Sequence, residues 1–98
     1  MTPFRELDPL LHSQLRLAVM SVLISVDSAD FIYLREKTGA TAGNLSVQIG
    51  KLKDAGYISV SKSFGESYPQ TMCRITELGR KKFAEYVAAL GDYLRPEA

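Results

Sequence analysis

The residue types that could support chemistry in this 98-residue chain are few, and their spacing argues against catalysis. His12 is the sole histidine, so the spaced His/Cys set of a zinc site is missing. His12, Ser13 and Asp27 include the three groups of a hydrolytic triad, but they lie along or just beyond one expected helix, with no nucleophile elbow or oxyanion-hole signal. The reading is therefore of a protein that is not an enzyme and carries no metal or cofactor. Cys73 is the single cysteine. It cannot form an internal disulfide, which agrees with a reducing, cytoplasmic compartment, and its expected role is that of a small hydrophobe on a strand. Another set of residues has the chemistry of recognition. The amides of Asn44 and Gln48 pair a donor with an acceptor, as the adenine edge in a DNA major groove does. The Ser46 hydroxyl can serve a base or a phosphate, Val47 can pack on a thymine methyl, and Lys51 can neutralise a phosphate.

Those residues share one segment, and local signals predict the elements that hold it. Residues 1–8 read as an N-terminal arm. Asp8-Pro9 then places a capping carboxylate before a proline whose missing N–H does no harm at a first helical position, so a helix is expected from Pro9 to about Ser25. From Leu17 to Val26 its apolar residues fall on most sides, which a lone surface helix would not need. The run from Val26 to Asp30 is short and polar and reads as a turn, in which Ser28 or Asp30 caps a helix from Phe31 to Thr38 that Gly39 ends. Thr41 is the expected cap of a third helix, Ala42 to Ala55, whose stripe of Leu45, Ile49 and Leu52 faces a core. Gly50 in its interior costs about 1 kcal/mol relative to alanine, which suggests that another surface approaches the backbone there. Tyr57–Ser63 and Gln70–Thr76 read as the strands of a hairpin, and a last helix is expected from Glu77 to about Tyr93. Its apolar face is read as Leu78, Phe83, Val87, Leu90 and Leu94, widened by Tyr86 and Tyr93.

The order helix, short helix, glycine turn, helix, hairpin, long helix resembles a winged helix-turn-helix. The most specific pieces are the LSxxIxxLxxAGYI run from Leu45 to Ile58 and the TxxRITxxG run from Thr71 to Gly79. These resemble the recognition helix and second wing strand of compact transcriptional regulators related to the MarR and ArsR families, and the likeness extends from about Leu10 to Leu94. It implies an α+β, mainly α fold in one domain, with a two-stranded wing and a long C-terminal helix. It also implies binding of double-stranded DNA through Thr41, Asn44, Ser46, Val47, Gln48 and Lys51, with Lys62 and Thr71 reaching phosphates from the wing. The loop from Phe64 to Pro69 departs from that pattern: it has no basic residue and contains Glu66.

Composition sets the boundaries of this reading. Hydrophobic residues are 46% and charged residues 23% of the chain, as in a globular domain rather than a disordered one. Formal charge is only +1, with four basic and five acidic residues in 1–40 and eight basic and six acidic in 41–98. Lys51, Lys53, Lys62 and Arg16 are the main cations available to a phosphate backbone, and two copies would double them. A small chain with an over-apolar first helix and a long last helix is expected to pair through 9–26 and 77–94 as a homodimer, which would suit a palindromic operator. The apolar stretch from Leu15 to Val26 is too short to span a bilayer. The alternative reading is a winged helix that docks on another protein and binds no DNA. Arg80, Lys81 and Lys82 read as a solvated face, with Lys81 able to pair with Glu77 or Glu85.

Overall fold

The computed structural model describes residues 4–64 and 69–96. Seven elements follow in order: α1 (Gln14–Val26), β1 (Ser28–Asp30), α2 (Phe31–Thr38), α3 (Ala42–Asp54), β2 (Ile58–Phe64), β3 (Pro69–Ile75) and α4 (Glu77–Leu94). The strands form one antiparallel sheet in the order β1-β3-β2. A single core joins Leu11, Val19, Met20 and Leu23 to Leu34, Leu45, Leu52, Ile58, Cys73 and Ile75. This is a winged helix-turn-helix with a two-stranded wing and a long terminal helix.

Caps set most boundaries. The Asp30 carboxylate accepts from the Tyr33 N–H at 2.7 Å and starts α2. Gly39 ends it at φ 71°, a left-handed conformation that costs glycine little. Thr41 Oγ1 accepts from the Asn44 N–H at 3.2 Å, and Thr76 Oγ1 accepts from the Gly79 N–H at 2.9 Å, so a hydroxyl opens each of the two longest amphipathic helices.

Three local expectations are corrected. The first helix begins at Gln14 rather than Pro9. Asp8 does cap, accepting from the Leu10 N–H at 2.9 Å, but it caps a turn that drives Leu11 into the core. The Leu10 carbonyl then accepts from Arg16 Nε at 2.6 Å, and Ser13 is extended, so helix cannot run through. His12 consequently lies before α1, its Nδ1 2.9 Å from the Tyr86 hydroxyl. The second correction is β1. Ser28, Ala29 and Asp30 pair with Arg74, Cys73 and Met72, and the expected turn shrinks to Asp27, which closes α1 at φ 73°. The Asp27 carboxylate binds Arg74 at 2.7 Å and also Arg80, so it ties the sheet to the start of α4.

The third correction concerns the rotation of α4. Its buried residues are Gly79, Tyr86 and Ala89, whereas Leu78, Val87 and Leu94 are exposed. Gly79 sets that rotation, because a Cβ there would stand 2.1 Å from the Tyr57 carbonyl oxygen. Only a residue without a side chain lets the helix cross so close to the backbone entering β2. The arm follows the far half of α4: the Phe4 ring stacks on Tyr93 at 4.9 Å, Arg5 Nε meets Asp92 at 2.8 Å, and the Tyr93 hydroxyl donates to the Arg5 carbonyl at 2.7 Å. Along its longest axis the molecule measures 57 Å. Among the described residues no helix is long and apolar enough to cross a membrane.

Candidate nucleic-acid interface

Within α3 the apolar stripe is anchored as its spacing predicts. Leu45 and Leu52 have no exposed surface and Ile49 is 6% exposed. That burial fixes the rotation of the helix and turns Gly43, Asn44, Ser46, Val47 and Lys51 outward, all of them exposed. Val47 is 55% exposed, an apolar side chain in solvent on an otherwise polar ridge. A Cβ added at Gly43 or Gly50 would meet nothing within 4 Å. No internal packing therefore requires a glycine at either position.

Thr41 stands exposed at the start of the helix, its oxygen already accepting from Asn44 N–H. Gln48 differs from its neighbours. It is half-buried, its Oε1 accepts from the Arg16 guanidinium, and its Nε2 donates to Asn44 Oδ1 at 3.0 Å. Arg16, counted in the sequence as a cation for phosphates, is itself half-buried and held by Leu10 and Gln48. This three-residue chain links α1 to α3 across 32 positions of sequence, and no local pattern could have revealed it. Beside it an open depression of about 410 Å³ is lined by the start of α1, Thr38, Ala40, Asn44 and Gln48.

On the wing, strand alternation decides what faces the helices. Ile58 and Val60 pair with Ile75 and Cys73 on the core side of the ladder. Lys62 and Thr71, directly opposed, have the same parity and lie on that same side, farther out along the hairpin. Lys62 is exposed and Thr71 half-buried. The wing therefore sets a cation and a hydroxyl toward the helical side of the sheet. Glu66 and Ser67, in the expected tip, fall outside the described residues.

The cations divide into two groups. Arg5, Arg74, Arg80 and Lys82 are in ion pairs with Asp92, Asp27, Asp27 and Glu85. The basic run in α4 is thus neutralised through Arg80 and Lys82 rather than through the expected Lys81. Among the described residues no ion pair involves Lys51, Lys53 or Lys62. Arg35 and Lys37 on α2, Lys81 on α4 and Arg95 are likewise outside those pairs, but of these cations only Lys51, Lys53 and Lys62 lie on α3 and the wing.

Other candidate chemistry recedes. Cys73 is fully buried, and burial, aided by nearby Asp30, pushes its thiol up to about 11. A thiol so shielded is a packing group and not a reactive one. Among the described residues, no three His, Cys, Asp or Glu side chains stand together as a metal site.

Residues 15–94 match the family described as the winged helix DNA-binding domain. The chain belongs to this family. The membership makes residues 15–94 a winged-helix DNA-binding domain. The domain is 32% identical over 76 residues to the uncharacterized protein MJ0432 of Methanocaldococcus jannaschii, an alignment covering 78% of this chain and 83% of that protein. Its fold is similar to a transcriptional regulator homologue from Pyrococcus horikoshii OT3, with a TM-score of 0.83 at 24% identity over 89% of this chain and 86% of the other. A MarR-family transcriptional regulator from Silicibacter pomeroyi shares the fold at a TM-score of 0.66 and 15% identity, over 90% of this chain and 60% of the other.

Proposed function

We propose that this winged-helix domain acts as a homodimeric transcriptional regulator that binds a palindromic operator in double-stranded DNA. The observation that carries the reading is the orientation of α3: Leu45, Ile49 and Leu52 are sealed in the core while Asn44, Ser46, Val47 and Lys51 project. A groove-reading helix needs that division, with one face anchored and the other short, polar and free of bulk. Thr41 at the helix start and Lys62 and Thr71 on the wing would hold phosphates on either side, and the open backbone at Gly43 and Gly50 would admit the DNA closely.

The dimer supplies what one copy lacks. A domain of net charge +1 with a few unneutralised lysines makes few phosphate contacts, and affinity rises steeply with their number. Val87 and Leu94 project from α4 beside half-buried Phe83 and Leu90, an i, i+4, i+7, i+11 row. Joining two copies through α4 and α1 would cover it and place the two α3 helices about one DNA turn, roughly 34 Å, apart.

Selection of duplexes from a random pool at controlled salt, with the mass of the complex measured alongside, tests the reading. The expected result is a two-fold symmetric motif bound by two copies. Affinity should fall steeply with salt, and Lys51→Ala should reduce the log–log salt slope by about one per copy. The double change Val87→Asp and Leu94→Asp should give a folded monomer that has lost the motif. A wild-type chain with no duplex affinity even at low salt would instead identify a protein-docking module.

A further inference from the structure

Arginine has donors and no acceptor, so whatever faces it must present oxygen. The Arg16 guanidinium therefore obliges Gln48 to turn Oε1 toward it, which leaves the Gln48 amide nitrogen facing Asn44. That nitrogen donates to Asn44 Oδ1 at 3.0 Å, so Asn44 in turn commits its oxygen inward. Among the described residues Asn44 Nδ2 has no hydrogen-bond partner, and the side chain is exposed on the ridge of α3. Orientation thus passes from a half-buried cation on α1, through one amide, to the edge that a second amide shows to the outside. Arg16 is itself held by the Leu10 carbonyl at 2.6 Å, which keeps the first member of the chain in place.

We infer that Arg16 and Gln48 are positioning residues that make Asn44 a hydrogen-bond donor to the major groove. An amide with both ends free reads adenine through N6 and N7. With its oxygen engaged by Gln48, Asn44 offers N–H to a base-edge acceptor. It thereby favours the keto bases guanine and thymine, which present O6 and O4, over cytosine, which presents only an amino donor, and over adenine, whose N7 accepts but whose neighbouring N6 amino group sets a second donor against the amide. This inference rests on the DNA-binding reading above and goes further by naming the class of base edge that α3 selects.

Gln48→Glu is the decisive variant. It is nearly isosteric and keeps an oxygen for Arg16, but it faces Asn44 with a second acceptor, so Asn44 must turn over and present its carbonyl. Duplex selection with the wild-type chain should show a keto preference at one position per half-site, and Gln48→Glu should reverse it toward amino bases by about fivefold or more while the other positions stay unchanged. Arg16→Met should level the preference at that position, and Arg16→Lys, still a donor without an acceptor, should restore it. Circular dichroism identifies any variant that fails to fold, and the Arg16 pair carries the same test if Gln48→Glu does. An identical motif for wild type and the folded variants, with affinity lowered uniformly, would overturn the relay and leave Arg16 a bare charge. Absence of any wild-type duplex binding would overturn the DNA-binding reading itself, a distinguishable result.

Discussion

Helices α3 and α4 are both amphipathic and both opened by a threonine cap, yet the molecule uses their apolar faces differently. In α3 every residue of the stripe is buried, and what projects is small or polar apart from Val47. In α4 the buried positions are Gly79, Tyr86 and Ala89, while Leu78, Val87 and Leu94 remain in solvent. A helix at the centre of a small domain finds enough neighbours to seal its stripe. A helix that leaves the domain does not, and its surplus apolar surface is the face that the proposed dimer would cover.

The comparison can be broken most directly by truncation. Leu52→Ala should lower unfolding free energy by about 2–5 kcal/mol, as expected of a fully buried leucine, whereas Leu94→Ala should change it by no more than about 0.5 kcal/mol at concentrations where the chain is monomeric. Denaturant titration of the two variants gives the contrast, and equal losses would remove it.

The joint between the two helices is Tyr57. Its N–H donates to the Leu52 carbonyl at the end of α3, its carbonyl lies beneath Gly79, and its hydroxyl donates to Asp8. Burial first, then the bond to Asp8, pushes the Tyr57 hydroxyl up to about 12 from 10, and the Cys73 thiol is raised to about 11 from 9. Both groups hold their protons longer in the folded chain than in the unfolded one. The stabilisation is therefore complete below about pH 9 and lost as pH rises through 11 and 12. Melting temperature should fall across that window, and Tyr57→Phe should flatten its upper part. A profile in Tyr57→Phe as steep as in the wild type would show that the joint lies elsewhere.

The smallest effect sharpens the reading of α3. Gly50→Ala should stabilise the isolated domain by about 1 kcal/mol, since helix propensity improves and the added methyl meets nothing. If DNA approaches that backbone, the same variant should bind its operator more weakly. Thermal melts paired with a binding titration would show the two signs, and operator affinity that rises or stays level would place the DNA away from Gly50.

Much of this architecture was legible in the chain because its causes are local. Asp30, Gly39, Thr41 and Thr76 act within four residues of themselves, and the Leu45, Ile49, Leu52 spacing needs only the helical period to become a face. The misses share a different cause. Ser28-Ala29-Asp30 has little strand propensity and becomes β1 only because β3 offers it a free edge. Asp8-Pro9 is a sound cap, but Leu11 gains more by turning into the core than by continuing a helix. In α4 the hydrophobic stripe suggested one face, and the near-contact of Gly79 with Tyr57 selected another.

From the residues alone came the element order, the caps, the inward stripe of α3 and hence the arc that carries Asn44, Ser46, Val47 and Lys51. Only the folded molecule decided which cations are neutralised, where α4 turns its surplus apolar side chains, and that Gln48 is bound between Arg16 and Asn44. Period and capping are properties of neighbouring residues, so they can be read along the chain. Ion pairs, helix rotation and a hydrogen-bond relay depend on atoms brought together from distant positions, and packing alone determines which of them meet.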